Sequence, residues 1–128
     1  MIVLDASVVI AHLAAGDAHH ARATEFFREH AGDEFVVHTL TLTEILVGPM
    51  RVGRGADATR ALASLGIGEW APPAGSAARL AQLRVDSGLK LPDCCVLDVA
   101  VESRHPLATF DARLAEAAVA LGVPVVAG

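Results

Sequence analysis

The stretch MIVLDASVVIAHLAA (residues 1–15) decides the fold. Ile2, Val3 and Leu4 form a short apolar run without the alternation of a half-solvated strand, so it reads as a strand buried on both faces. The run ends in an acid, Asp5. ASVVIAHLAA then continues as a helix that stops near Gly16, with almost no room for a loop. A buried strand passing directly into a helix is the opening unit of an α/β protein.

Further along the chain the unit repeats. DAHHARATEFFREHAGD (17–33) reads as a helix with Asp17 as N-cap and Gly32 near its end. EFVVHT (34–39) is a second strand, and LTLTEILVG (40–48) turns helical and stops at the Gly/Pro loop GPMRVGRG (48–55). ADATRALASLG (56–66) is helical, and IGEWAPP (67–73) is a short extended piece closed by two prolines. AGSAARLAQLRVDSG (74–88) and LPDCCVLDVAVESR (91–104) are helices, HPLATF (105–110) a strand, DARLAEAAVALG (111–122) a helix and VPVVAG (123–128) a last strand. Short unalternating strands that alternate with helices predict a parallel sheet covered by helices on both faces. There is no internal repeat, low-complexity tract or linker, and 128 residues suit one domain, 1–128.

Composition narrows the function. Apolar residues make up 53% of the chain, enough for a real core. No run of eighteen apolar residues predicts a membrane span, and the N-terminus lacks a basic leader, so a cytoplasmic protein without membrane contact is expected. The two cysteines, Cys94 and Cys95, are adjacent on a helix, point about 100° apart and are poorly placed to pair. They read as small buried apolar residues, and without CxxC or HExxH spacing zinc is not expected. A net charge of −5 excludes a protein that coats nucleic acid by charge alone. It leaves room for an enzyme acting on nucleic acid, because divalent cations invert the local field.

The acids carry the functional signal. Ligands of a parallel α/β sheet bind beyond the carboxyl ends of its strands. Asp5 ends strand one, Asp111 follows PLATF and opens a helix, and Glu44 lies in the first helical turn after EFVVHT. Asp93 follows Pro92 at the head of an otherwise apolar helix. Each has a plain structural explanation: Thr41-Leu-Thr-Glu44 fits a capping box, Asp111 an N-cap, Asp93 a favourable helix start and Asp5 a cap after a first strand. Taken jointly, the four make a cluster of like charges that must be neutralised. No lysine or histidine recurs beside them, and hard oxygen ligands without nitrogen or sulfur suit Mg²⁺ or Mn²⁺. Asp98 lies about 140° around the helix from Asp93 and is expected to pair with an arginine such as Arg84 or Arg104. The six histidines are dispersed and read as structural or exposed. Arg51, Arg54 and Arg60 read as an ordinary solvated loop rather than a grip on nucleic acid.

VLDASVVI (3–10), TLTEIL (41–46), GLKLPDCCVLDVA (88–100) and LATFDARLAEAA (107–118) together resemble the PIN domain in order and spacing, and more closely the VapC-type toxins of bacterial toxin–antitoxin pairs. The resemblance runs from residue 2 to about residue 126. It implies a three-layer α/β/α sandwich with a central mostly parallel sheet, and a Mg²⁺- or Mn²⁺-dependent endoribonuclease that hydrolyses RNA. The family's four acids fall on Asp5, Glu44, Asp93 and Asp111, and its hydroxyl residues on Ser7 and Thr109. A homodimer and inhibition by a VapB-type antitoxin are also implied. Asp98 departs from the family pattern, where an apolar or small residue is more usual.

Rival readings lack their residues. A Mg²⁺-binding receiver module needs an acidic pair after strand one and a lysine near the last strand, but LDAS has one acid and the only lysine is Lys90. A haloacid-dehalogenase-type phosphatase needs Asp-x-Asp, and Ser7 occupies the second position. A non-catalytic PIN-like binding module would not need all four acids.

Overall fold

The computed structural model describes residues 1–127. Five parallel strands, β1 (Ile2–Leu4), β2 (Phe35–His38), β3 (Ile67–Trp70), β4 (Leu107–Ala108) and β5 (Val125–Ala127), form one sheet in the order β3-β2-β1-β4-β5. Gly128, the end of the expected last strand segment, lies outside the described residues. The expected α/β/α sandwich is present, and the sheet is entirely rather than mostly parallel.

Alternation along the strands divides the core between the two faces. Ile2 and Leu4 of β1, with Phe35 and Val37 of β2, face a cluster completed by Val8, Phe26 and Ile45. That side is covered by α1 (Ala6–Leu13), α2 (His20–Glu29), α3 (Thr39–Arg51) and α4 (Gly55–Ser64). Val3, Val36 and Leu107 point the other way, into a cluster with Leu97, Val99 and Leu114. That side belongs to α5 (Ser76–Ser87), α6 (Leu91–Ser103) and α7 (Ala112–Ala120). Every residue of α6 from Cys94 to Ala100 is buried. A helix apolar all round belongs inside the protein, and α6 packs against α5, α3, β1 and β2.

Several local expectations are corrected. The helix after β2 begins at Thr39, because the His38 side chain accepts from the Leu40 amide and caps it one residue after the strand. The Thr41–Glu44 capping box does not form: Thr41 is already inside the helix, and Glu44 lies in its second turn rather than its first. This helix also runs through Gly48 and Pro49 to Arg51 instead of stopping at Gly48. Gly48 has no Cβ to meet the proline ring, which removes much of the usual penalty on the residue before proline. The helix of residues 20–29 takes His19 as N-cap, with Asp17 accepting the His19 amide one turn earlier.

Asp98 pairs with neither Arg84 nor Arg104. Arg79 of α5 grips it with two bonds, from Nε at 3.0 Å and from NH2 at 3.3 Å, and also reaches Glu102 at 3.2 Å. Asp98 is 2% exposed, and the two-pronged guanidinium is what makes a carboxylate tolerable there. Arg104 instead ends α6 in the left-handed conformation, φ 58°.

Candidate active site

The strand order sets the place. Chain progression runs outward from β1 to β2 and β3, then restarts at β4 on the other side of β1, so the sheet reverses between β1 and β4. The crevice at the carboxyl ends of strands at such a reversal is where open α/β sheets bind ligands. Asp5 leaves β1 at this point, and Thr109, Phe110 and Asp111 leave β4.

Two hydroxyls fasten these segments together. Ser7 Oγ donates to Asp5 Oδ2 at 2.7 Å, and Thr109 Oγ1 donates to the same oxygen at 2.8 Å. Thr109 Oγ1 in turn accepts the Asp111 amide at 3.0 Å, and Ser7 Oγ accepts the Phe110 amide at 3.5 Å. Asp5 is 8% exposed and its side chain accepts no backbone amide of its own helix, so the simple capping role fails for it. Both donors fall on Oδ2, and neither uses Oδ1.

Asp111 does cap its helix. Its Oδ1 accepts the amides of Arg113 at 2.9 Å and Leu114 at 3.3 Å. The second oxygen takes no part in the cap. Asp93 sits in the first turn of α6 and is half-buried. The approach to it is built by Gly88, whose φ of +71° ends α5 in a left-handed turn that a side chain would strain. Pro92 follows within the first turn of α6, where a missing N–H is harmless.

The four acids share one field. Partial burial, then the charges of Asp5 and Asp111, push the Asp93 carboxyl above its ordinary range, with Lys90 and Arg113 pulling back. Partial loss of hydration, then Asp5 and Asp93, push Glu44 up in the same sense. Asp93 of α6 thus feels Asp5, at the end of β1, and Asp111, at the start of α7, and Glu44 of α3 feels Asp5 and Asp93. Among the described residues, no three acid, histidine or cysteine side chains converge tightly enough to grip one ion as they stand.

The expectation that no lysine lies beside the acids is corrected: Lys90 and Arg113 both act on Asp93. Each was legible in principle, because Lys90 lies three residues before Asp93 and Arg113 two residues after Asp111. The cysteines behave as expected. Both are free and buried, and burial raises both thiols, Cys95 to about 11. The histidines are structural or exposed: His12 bonds Thr24 at 3.1 Å, and His20 meets the Ala11 carbonyl at 2.9 Å. In the 51–60 segment, Arg54 and Arg60 both pair with Asp57, which ties that surface to itself.

The PIN domain family matches residues 2–120, a span holding all four acids and both hydroxyls. The chain belongs to the PIN domain family. A search of curated proteins returns no match by sequence. Among solved structures, this PIN domain is similar to a toxin–antitoxin complex from Klebsiella pneumoniae (TM-score 0.76, 23% identity, 98% of this chain and 96% of that one). It is also similar to VapC20 of Mycobacterium tuberculosis, described as a sarcin–ricin loop cleaving toxin (TM-score 0.76, 18% identity, 91% and 95%). FitAcB from Neisseria gonorrhoeae is a third (TM-score 0.69, 19% identity, 98% and 96%). At these identities the likeness is one of fold, and it extends over nearly the full length of each chain.

Proposed function

We propose that this PIN domain, residues 1–128 as one domain, is a Mg²⁺- or Mn²⁺-dependent endoribonuclease, the toxin half of a toxin–antitoxin pair. The observation that carries the reading is the gathering of Asp5, Glu44, Asp93 and Asp111 near the sheet reversal, where partial burial and then the neighbouring carboxylates push Glu44 and Asp93 up. The donor set is all oxygen, which suits a hard divalent cation. Such ions keep several waters, so acids that do not converge on a single point can still hold one through solvent.

Asp5 and Asp93 would hold the ion directly, and Glu44 and Asp111 directly or through water. When bound, a divalent ion supplies charge relief at the phosphate and an acidified water. The protein's own part is positional. Ser7 and Thr109 occupy Asp5 Oδ2 and leave Oδ1 for binding. The helix cap occupies Asp111 Oδ1 and leaves its other oxygen. No nucleophilic side chain is required.

The similar solved structures include toxin–antitoxin complexes, which supports an antitoxin of the VapB type as partner. A cavity of about 250 Å³ between α1 and α3 fits that role: Ile10, Leu13, Ile45 and Pro49 line it, and Glu44 stands at its wall. An apolar helix laid there would bring an arginine to the acids. A homodimer is part of the same reading. No helix among the described residues is long and apolar enough to cross a membrane, and a cytoplasmic protein is the expected setting.

The deciding experiment is cleavage of single-stranded RNA with Mg²⁺, with Mn²⁺ and with chelator. Metal-dependent cleavage that disappears in Asp93→Asn is expected. Equal cleavage by wild type and Asp93→Asn overturns the assignment.

A further inference from the structure

The carboxylate cluster that would cut RNA also repels it, and the chain as a whole carries −5. RNA needs cations at the site, and four of the protein's nine guanidinium groups are already committed. Arg28 pairs with Glu25, Arg54 and Arg60 with Asp57, and Arg79 with Asp98 and Glu102. Among the described residues, Arg22, Arg51, Arg84, Arg104 and Arg113 are in no ion pair; of these, Arg113 acts on Asp93, and Arg22 lies on the ring of Phe110, the neighbour of Asp111 in the chain.

Arg22 projects from α2 onto Phe110, with its guanidinium carbon 4.5 Å from the ring centre, while His19 meets the same ring at 5.4 Å. Phe110 stands between Thr109 and Asp111, and its amide is bonded to Ser7. The ring therefore fixes a cation at one flank of the acids. A guanidinium lying on a ring keeps its N–H edges free for phosphate. Arg113 takes the other flank. Its amide is bonded to Asp111, and the residue lines a cavity of about 420 Å³ between α5 and α7. Leu83, Leu89 and Ala117 give that cavity an apolar lining, and Asp86 and Glu116 stand with Arg113 among its polar groups.

We propose that single-stranded RNA crosses the four acids between two guanidinium grips, Arg22 held on Phe110 and Arg113, and seats a base in the α5–α7 cavity beyond Arg113. This rests on the ribonuclease reading above. The volume is in the range of small-molecule sites, about 300–1,000 Å³. Apolar walls receive the base faces. The carboxylates of Asp86 and Glu116 repel phosphate but accept from base N–H groups, and the Watson–Crick edge is open in single strands. Guanine, with two adjacent N–H donors for one carboxylate, is the base this cavity favours.

Binding is measured by fluorescence anisotropy of short labelled RNAs without divalent metal, over a range of salt. Arg22→Ala and Arg113→Ala each weaken binding roughly tenfold. Each also lowers the salt slope by about 0.7, the loss of one phosphate contact on a single strand. Arg28→Ala, which breaks only the pair with Glu25, leaves both quantities unchanged. In the wild type a guanine-containing RNA binds more tightly than a uridine-only RNA, and Ala120→Trp, which fills the cavity from its lining, abolishes that difference while keeping the slope. Unchanged affinity and slope in both arginine variants overturn the path, even if they still cut RNA, and absence of base preference in the wild type overturns the cavity's role. A wild type that binds in this way but leaves RNA uncut in Mg²⁺ and Mn²⁺ supports the path and removes the ribonuclease reading.

Discussion

Thr109 donates its hydroxyl proton to Asp5 at 2.8 Å across 104 residues of sequence, and this bond locks the end of β4 to the end of β1. Thr109→Val keeps the shape and removes the donor, leaving a buried carboxylate with only Ser7. Hydrogen bonds to charged groups contribute about 1.5–3 kcal/mol, so urea denaturation should show a loss at the lower end of that range. Mn²⁺ affinity by calorimetry should fall about 10- to 100-fold, as for other groups that orient a ligand. Thr109→Ser should restore most of both. Full Mn²⁺ affinity in the valine variant would detach Thr109 from the site.

The raised carboxyls of Glu44 and Asp93 give the metal-free protein a definite pH response. A folded-state pKa above the unfolded value means that the folded state holds its proton longer. Stability is therefore greatest in the ordinary carboxylate range and declines as pH rises from there through the raised values. At neutral pH the repulsion is fully present. Asp93→Asn removes it, so the metal-free variant should melt a few degrees above the wild type at pH 7, with the gap closing toward pH 4. A variant that melts lower at pH 7 would instead assign Asp93 to the helix start alone.

Metal should reverse that ordering. An ion that binds only the folded state stabilises it in proportion to its concentration over its Kd, so saturating Mn²⁺ raises the wild-type melting point and leaves Asp93→Asn nearly unmoved. Protons compete for the same oxygens, and the gain from Mn²⁺ shrinks in acid. Chelator should abolish RNA cleavage, and added Mg²⁺ or Mn²⁺ should return it. Cleavage persisting in excess chelator would point to chemistry independent of the ion.

Asp98 makes a separate test, away from the site. Arg79→Met strands a carboxylate that is 2% exposed and should lower the melting temperature by roughly ten degrees. Arg79→Met combined with Asp98→Leu removes both charges and should recover most of the loss. Because the pair ties α5 to α6 rather than touching the acids, Mn²⁺ affinity in the double variant should match the wild type. Additive losses in the double variant would show that the pair contributes nothing of its own.

The architecture was legible because its signals are local. IVL, FVVH and the apolar helix around Cys94–Ala100 declare their burial within a few residues. The four acids stood out because each lies near an element end or start. Partner choice was not legible. Arg79 lies nineteen residues before Asp98 on another helix, and its reach depends on how α5 packs against α6. The cap at His38 was missed because histidine is an unusual N-cap, and that error displaced both Thr41 and Glu44 by a turn. Phe110 read as an ordinary strand residue, and the chain gave no sign that Arg22 would lie on its ring.

The pairing of β1 with β4, Val3 beside Leu107 and Leu4 beside Ala108, has a consequence for the order of folding. Asp5 and Asp111 lie far apart in the sequence, and the β1–β4 contact is what brings their segments together. Such long-range pairing forms late and slowly relative to local helices. A folding chain thus holds its local helices before Asp5 and Asp111 come to lie at one edge of the sheet. The place where the carboxylates gather is therefore among the last parts of the fold to assemble, after the helices that carry them.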